Sequence, residues 1–301
     1  MKPDSKLAGK VEGKDFIITA EYLPRAGTGP SAIEACASAV RDRVTAVNAA
    51  DNLYGVAMSS LAASVGLFRS GIEPVYQVIT RDRNRIALQS DLMGAAFLGI
   101  KNVLCLSGYH QTLMGYPQSA NVYDIDSVQL ISTVRKMSEE GSLLNGTKIE
   151  GNFSMLIGAV ANPYMKPIDL NMLRLNKKIE AGATFIQTQA VFDLEGFREW
   201  LEAVVKERLD DKVAILAGVQ PLSSAVEAKK LADTYTDFTI PERVLERIMA
   251  AGDQAAQKKE GLAICAEIIK ELKGLKGLRG IHILCGGNEA IVPELITAAA
   301  L

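Results

Sequence analysis

Apolar positions along the chain fall into eight short runs, separated by longer stretches in which apolar residues recur every three or four positions. The runs are FIITA (16–20), VTAVNA (44–49), EPVYQVIT (73–80), NVLCLS (102–107), SMLIGAV (154–160), TFIQTQ (184–189), VAILAGV (213–219) and GIHILCG (280–286). They are nearly continuous rather than alternating, which is the pattern of strands covered on both faces. The stretches between them carry helix signals. SAIEACASAVRDR follows a Pro-Ser start, and NRIALQSDLMGAAFLG ends on a glycine suited to a C-cap. DSVQLISTVRKMSEEG opens on Asp126, a good N-cap, and ends at Gly141. LNMLRLNKKIEAGA and LEGFREWLEAVVKERL follow the same logic. Residues 223–273 hold two or three helices before the last run, an insertion relative to a plain repeat.

Eight strand–helix units in this length predict a (βα)8 TIM barrel, α/β in class, with extra helices before the last strand. The rival is an open doubly wound sheet, but the G-x-G-x-x-G that often follows its first strand is absent. No low-complexity linker divides the chain, so residues 1–301 are expected to form a single barrel domain.

Composition narrows the function classes. The net charge of −2 gives no reason to expect nucleic acid or an anionic membrane as partner. The N-terminal stretch is polar with no apolar signal core. The longest uncharged run, between Asp51 and Arg69, contains serines, an asparagine and glycines and does not read as a membrane span. A cytoplasmic location is the expectation. Cys36, Cys105, Cys265 and Cys285 are far apart and form no CxxC pair, so they read as buried thiols in a reducing compartment. With only His110 and His282, a histidine-rich metal site is excluded, and no metal site is expected. His282 lies inside an apolar run and reads as a core residue. RDRNRIALQSD (81–91) has two aspartates against three arginines and no aromatic residue, so it reads as an ion-paired helix start.

Barrel active sites form at the C-terminal ends of the strands. There the sequence places Glu21, just past the first run, and Asn48, Gln77, Gly108, Tyr109, Asn162 and Gln189 at later ones. Gln187 and Gln189 are two apart and should share a face of the sixth strand. Polar side chains in a barrel strand need partners, either a ligand or a water-filled mouth.

These pieces together resemble the methylenetetrahydrofolate reductases, in particular their short bacterial form consisting of the catalytic barrel alone. The resemblance is carried by AEYLPRAG, EPVYQVITRDRNRIALQSDLMGAAFLGIKNVLCLSG, LRLNKKIEAGATFIQTQAVFDLEGFREW and ILAGVQPLSSA, with GIHIL and VPEL near the C-terminus. It implies a flavin-bearing barrel, with FAD preferred over FMN, in which reduced flavin passes a hydride to 5,10-methylenetetrahydrofolate. By position it implies Glu21 as the acid that protonates N10, and Gln189 as a hydrogen-bond partner of the pterin. It implies Lys178 as a flavin-phosphate contact with Arg174 one turn earlier, Ala183 beside the flavin, and Gln77 where the family often has a histidine. Asn48, Gly108 and Asn162 complete the expected flavin contacts, and Tyr109 and Gln187 the expected substrate contacts. Implied partners are a tetrahydrofolate derivative, NAD(P)H or an electron-donating or one-carbon partner subunit, and further copies of the chain in a homo-oligomer. Two departures stand out. The family usually reads Gly-Asp where this chain has Gly108-Tyr109, and its Y-P-E-x-H-P pattern is replaced by ANPYMKP (161–167). Both touch the flavin or folate pocket. They leave open a folate-dependent methyl-transfer enzyme, or a non-catalytic folate-binding subunit.

Overall fold

The computed structural model describes residues 3–113, 115–235 and 239–301. Eight strands pair in chain order into a closed barrel: β1 (Ile17–Tyr22), β2 (Ala46–Ala49), β3 (Pro74–Ile79), β4 (Asn102–Leu106), β5 (Leu156–Ala161), β6 (Phe185–Ala190), β7 (Ala214–Val219) and β8 (Leu278–Ile283). Every pairing is parallel, and β1 closes on β8 with Ile17 opposite Gly280. The near-continuous apolar runs are accounted for by this: one strand face meets the barrel interior and the other meets the helices.

Helix α1 (Lys6–Gly13) precedes the barrel. The crossovers are α2 (Pro30–Val40), α3 (Ser60–Arg69), α4 (Arg85–Phe97), α5 (Ser127–Glu139), α6 (Ile168–Ala181) and α7 (Leu194–Lys206). The expected insertion comprises α8 (Ala225–Thr234), α9 (Glu242–Ala250) and α10 (Gln254–Lys273), and α11 (Ile291–Ala299) ends the described chain. Caps follow the sequence: Asp126 closes a capping box with Gln129 on α5, and Asn84 accepts from the amides of Ile86 and Ala87 at α4.

Within the uncharged run after Asp51, Ser59 caps α3 by accepting from the Ala62 amide. β8 ends at Ile283 rather than 286, because Gly286 and Gly287 take positive φ of 59° and 80°. The polar N-terminus forms α1, and its short apolar face, Leu7 and Ala8, plugs the lower end of the barrel. There it meets a layer of inward side chains: Ile17, Ala46, Val75, Leu104, Leu156 and Phe185 with Ala214 and Leu216. Phe185 fills the space that Gly158 leaves, since a Cβ at Gly158 would lie 2.1 Å from the Phe185 ring. No described helix is long and apolar enough to cross a membrane.

Candidate active site

Above the apolar layer, strand alternation brings four polar side chains to the barrel axis. Asn48 and Gln187 form a reciprocal amide pair, at 2.7 and 3.2 Å. Gln187 Nε2 also donates to Thr19 Oγ1 at 3.2 Å and lies 3.3 Å from His282 Nδ1, while Thr19 Oγ1 is 2.9 Å from the same ring nitrogen. Burial pushes the His282 pKa down to about 3, so the ring is neutral at ordinary pH. The layer carries no net charge and each of its four side chains has a hydrogen-bond partner within it, which lowers the cost of burying them.

Gln187 and His282 of this layer form the floor of a cavity of about 360 Å³ at the C-terminal ends of the strands. Glu21 is on its wall. It stands one residue before the end of β1, not past it, and is 6 % exposed. Burial, and secondarily the charge of Glu289, raises its pKa to about 7. Such a carboxyl holds its proton near neutrality and can give it up there. Gln77 also reaches the wall, from two residues before the end of β3. Gln187, Thr188 and Gln189 all line the cavity, because the β6–β7 register shifts between Gln187 and Ala190.

Gly108 and Tyr109 follow β4 and line the cavity. Gly108 has φ +82°, and a Cβ there would press on Arg81 and Ile79 at 3.3 and 3.4 Å, so glycine is required. Arg81 is buried and ties three loops together: its guanidinium donates to the carbonyls of Tyr109 and Asn52, each at 3.1 Å, and to the Asp82 carboxylate at 2.9 Å. Gln189 Nε2 approaches Tyr109 Oη at 3.4 Å, and the Tyr109 ring lies 5.3 Å from that of Tyr235.

Lys178 reaches the wall from α6, its Nζ donating to the Val160 carbonyl at 2.6 Å. Burial, with Arg174 nearby, lowers its pKa to about 8. The other expected contacts are elsewhere. Asn48 lies in the floor layer. The Asn162 amide oxygen accepts from the Tyr164 amide, and Arg174 is engaged with Met165 Sδ at 2.8 Å. Ala183 is buried behind α6, where its amide donates to the Lys178 carbonyl. None of these four lines the cavity. Among the described residues no cluster of three or more His, Cys, Asp or Glu could hold a metal, and all four cysteines are free and buried.

The methylenetetrahydrofolate reductase family model matches residues 6–300. The chain belongs to that family. Similar proteins include a probable methylenetetrahydrofolate reductase (NADPH) of Caenorhabditis elegans, 23 % identical over 81 % of this chain and 34 % of its own length. The 5,10-methylenetetrahydrofolate reductases of Escherichia coli and Salmonella typhimurium are 27 % and 26 % identical, over 58 % and 68 % of this chain and 52 % and 62 % of theirs. The matches thus span a third to under two thirds of these relatives. In fold, the chain is similar to a Clostridium thermocellum protein whose structure is described as binding two copies of 5-methyl-5,6,7,8-tetrahydrofolic acid. The TM-score is 0.69 at 15 % identity, with 97 % of both chains covered.

Sequence reasoning missed several cavity residues: Arg81, Asp51, Tyr54, Leu231 and Tyr235. RDRNRIALQSD is ion-paired as expected, Arg83 with Asp51 and Arg85 with Asp124. The signal overlooked is that Arg81 is the second residue after β3, within reach of the mouth. Asp51 lines the cavity, but its carboxylate is taken up by Arg83 and by the Ile79 amide. Asp124 is held by Arg85 and Asp126 by its cap, and neither lines the cavity.

Proposed function

We propose that this chain reduces 5,10-methylenetetrahydrofolate to 5-methyltetrahydrofolate, with Glu21 as general acid. The observation that carries the reading is a buried carboxyl with a pKa near 7 on the wall of the cavity at the strand ends. Family membership and the folate-binding description of the Clostridium thermocellum protein support the substrate class.

The chemistry asks for such a group. The imidazolidine ring opens by breaking the bond between N10 and the one-carbon unit. N10 takes a proton as it leaves, and the N5 iminium so formed accepts a hydride at carbon. Glu21 holds the proton destined for N10 and delivers it from a buried position on the cavity wall. Gln189 has an amide that can both donate and accept, which suits a pterin edge, and Gln187 beneath it, whose amide is held by Asn48 and Thr19, would meet the substrate only as part of the floor.

The family's flavin, FAD in preference to FMN, would supply the hydride when bound. Gln77, Gly108 and Lys178 are the expected contacts that reach the cavity, and they fit it. The buried Lys178 amine donates to the Val160 carbonyl, and an anionic group beside it would raise its lowered pKa again. NAD(P)H or a partner subunit is the proposed source of electrons. A single barrel domain, a homo-oligomer and a cytoplasmic location belong to the same proposal.

Glu21→Gln keeps the shape and removes the proton. Turnover of methylenetetrahydrofolate should fall by roughly 10²–10⁴-fold, the span usual for a general acid, while 5-methyltetrahydrofolate binding and flavin content stay near wild type. Unchanged turnover would remove Glu21 from the mechanism. A second reading, folate binding or methyl transfer without flavin, draws on Tyr109 standing where the family has a carboxylate. Purified protein that binds folate but shows no flavin absorbance band would favour it.

A further inference from the structure

The large apolar side chains that face solvent are not spread evenly over the molecule. Of the fifteen among the described residues, ten lie between Tyr54 and Tyr123, a stretch that carries α3, α4 and the loops at their upper ends. These pieces adjoin one another. The Tyr116 ring lies 3.6 Å from where a Cβ on Gly55 would stand, and the Phe68 ring 3.0 Å from one on Gly99. The charges of this sector are largely taken up in ion pairs, Arg81 with Asp82, Arg83 with Asp51 and Asp91, and Arg85 with Asp124. α4 supplies the two most exposed apolar residues of the stretch, Ile86 at 74 % and Phe97 at 89 %. They stand three turns apart on one face of the helix, with the uncharged Ser90 and Gly94 between them. Packing within the chain gives no reason for Gly94. A Cβ there would meet nothing within 4 Å, and glycine inside a helix is unfavourable.

We propose that a second copy of this chain docks on this sector, the two α4 helices crossing antiparallel about a twofold axis. The face would serve the homo-oligomer named above, and it rests on that reading rather than on the folate chemistry. Three observations select a second copy as the occupant. The first is area. Ten side chains of about 200 Å² each, roughly half exposed, present on the order of 1,000 Å², and a standard interface takes about 800 Å² from each partner. The second is charge. A twofold axis sets a patch against itself, so a charged patch would repel its copy, whereas a neutral one brings no like charges together. The third is shape. The midpoint between Ile86 and Phe97 falls between Ser90 and Gly94, so an axis there sets Phe97 of one copy against Ile86 of the other, about 16 Å apart along each helix. At the crossing the small residues let the two backbones approach closely, and the spacing of packed helices follows the size of the side chains at their contact. That close approach is the use that Gly94 lacks within a single chain.

Sedimentation of the purified full chain at micromolar concentration tests this. The wild type should run as a dimer or a larger even-numbered assembly. Phe97→Glu and Ile86→Lys, made singly, should each raise the dissociation constant of the α4 contact roughly 30-fold or more, the size of a hot-spot loss. Both side chains are exposed in the single chain, so the circular dichroism and urea midpoint of the monomeric variants should show the fold intact. Met249→Glu, which charges an exposed apolar position on α9, should leave the assembly as it is. The double variant Ile86→Lys with Phe97→Glu should associate again, because each introduced amine then meets the introduced carboxylate of the other copy. A wild type that stays monomeric overturns both this face and the homo-oligomer. A Phe97→Glu variant that stays as associated as the wild type overturns the face while the homo-oligomer stands. Single variants that dissociate, with a double variant that does not recover, overturn the antiparallel crossing.

Discussion

The two ends of the barrel interior are built from the same eight strands and obey opposite rules. Below the Thr19–Asn48–Gln187–His282 layer every inward side chain of the core cluster is apolar, and α1 seals the end. Above it the wall carries a carboxyl, an amine and several amides, and the end is open. Moving up a strand by two residues keeps a side chain pointing inward, so Ile17, Thr19 and Glu21 report on three depths. The lower end holds the molecule together by burial. The upper end works against stability, because a buried carboxyl with no cation beside it is costly to ionise. That division predicts which substitutions unfold the protein and which silence it.

The largest effect on stability is expected at the lower end. Phe185→Ala removes a fully buried ring that fills the space above Gly158, and should cost about 3–5 kcal/mol. Urea unfolding would measure it. Activity per folded molecule should be unchanged at temperatures where the variant stays folded. A parallel loss of specific activity would show that the two ends are coupled and break the comparison.

Much of this division could be read from residues alone. Eight near-continuous apolar runs point to parallel strands covered on both faces, their number and the absence of a G-x-G-x-x-G favour a barrel over an open sheet, and Glu21 was legible as a charge just past the first run. What escaped depends on distant parts of the chain meeting. Tyr235 is 126 residues from Tyr109 in sequence and carries no local motif. The plug function of α1 rests on Leu7 and Ala8 within a stretch that is polar overall. Asn162, Arg174 and Ala183 sit at the expected chain positions but not at the cavity wall, since side-chain direction at a helix or loop is not set by position alone. Gln187 and Gln189 reached the same cavity as alternation requires, although β6 is irregular there.

A smaller effect sharpens the upper end. The Glu21 pKa rises from 4.5 to about 7 on folding, so the folded state binds this proton more tightly than the unfolded chain. Its contribution to stability is full below pH 4.5, is lost as pH rises through 7, and stays lost above. The ceiling on that change is about 3 kcal/mol, at 1.36 kcal/mol per pKa unit. Unfolding free energies measured from pH 5 to 8 should fall accordingly in the wild type, and Glu21→Gln should remove that part of the slope. Turnover should likewise drop about tenfold per pH unit above 7, as the acid form disappears. A flat activity profile to pH 9 would mean that the acid is another group.

The smallest effect concerns the seal itself. The Glu73 carboxylate accepts the first amides of α1, from Lys6 at 2.7 Å and Leu7 at 2.9 Å, and also takes the Asn102 side-chain amide at 3.0 Å. Asn102 in turn accepts from Ser5 Oγ at 2.8 Å, so one acid links the plug to β4. An anion at a helix N-terminus is favoured by the amides it accepts and by the helix dipole. Glu73→Gln keeps the size, leaves one acceptor oxygen and removes the charge. It should cost about 1 kcal/mol, far less than Phe185→Ala, because the contact is partly exposed and the apolar face of α1 still docks. Hydrogen exchange should locate the change, with the amides of residues 6–13 losing protection while those of β6 keep it. The folate half-reaction and its pH profile should stay at wild-type values, since the floor layer separates this end from Glu21. If Glu73→Gln instead shifts the pH at which turnover falls, electrostatic influence crosses the floor layer, and the two ends are not independent.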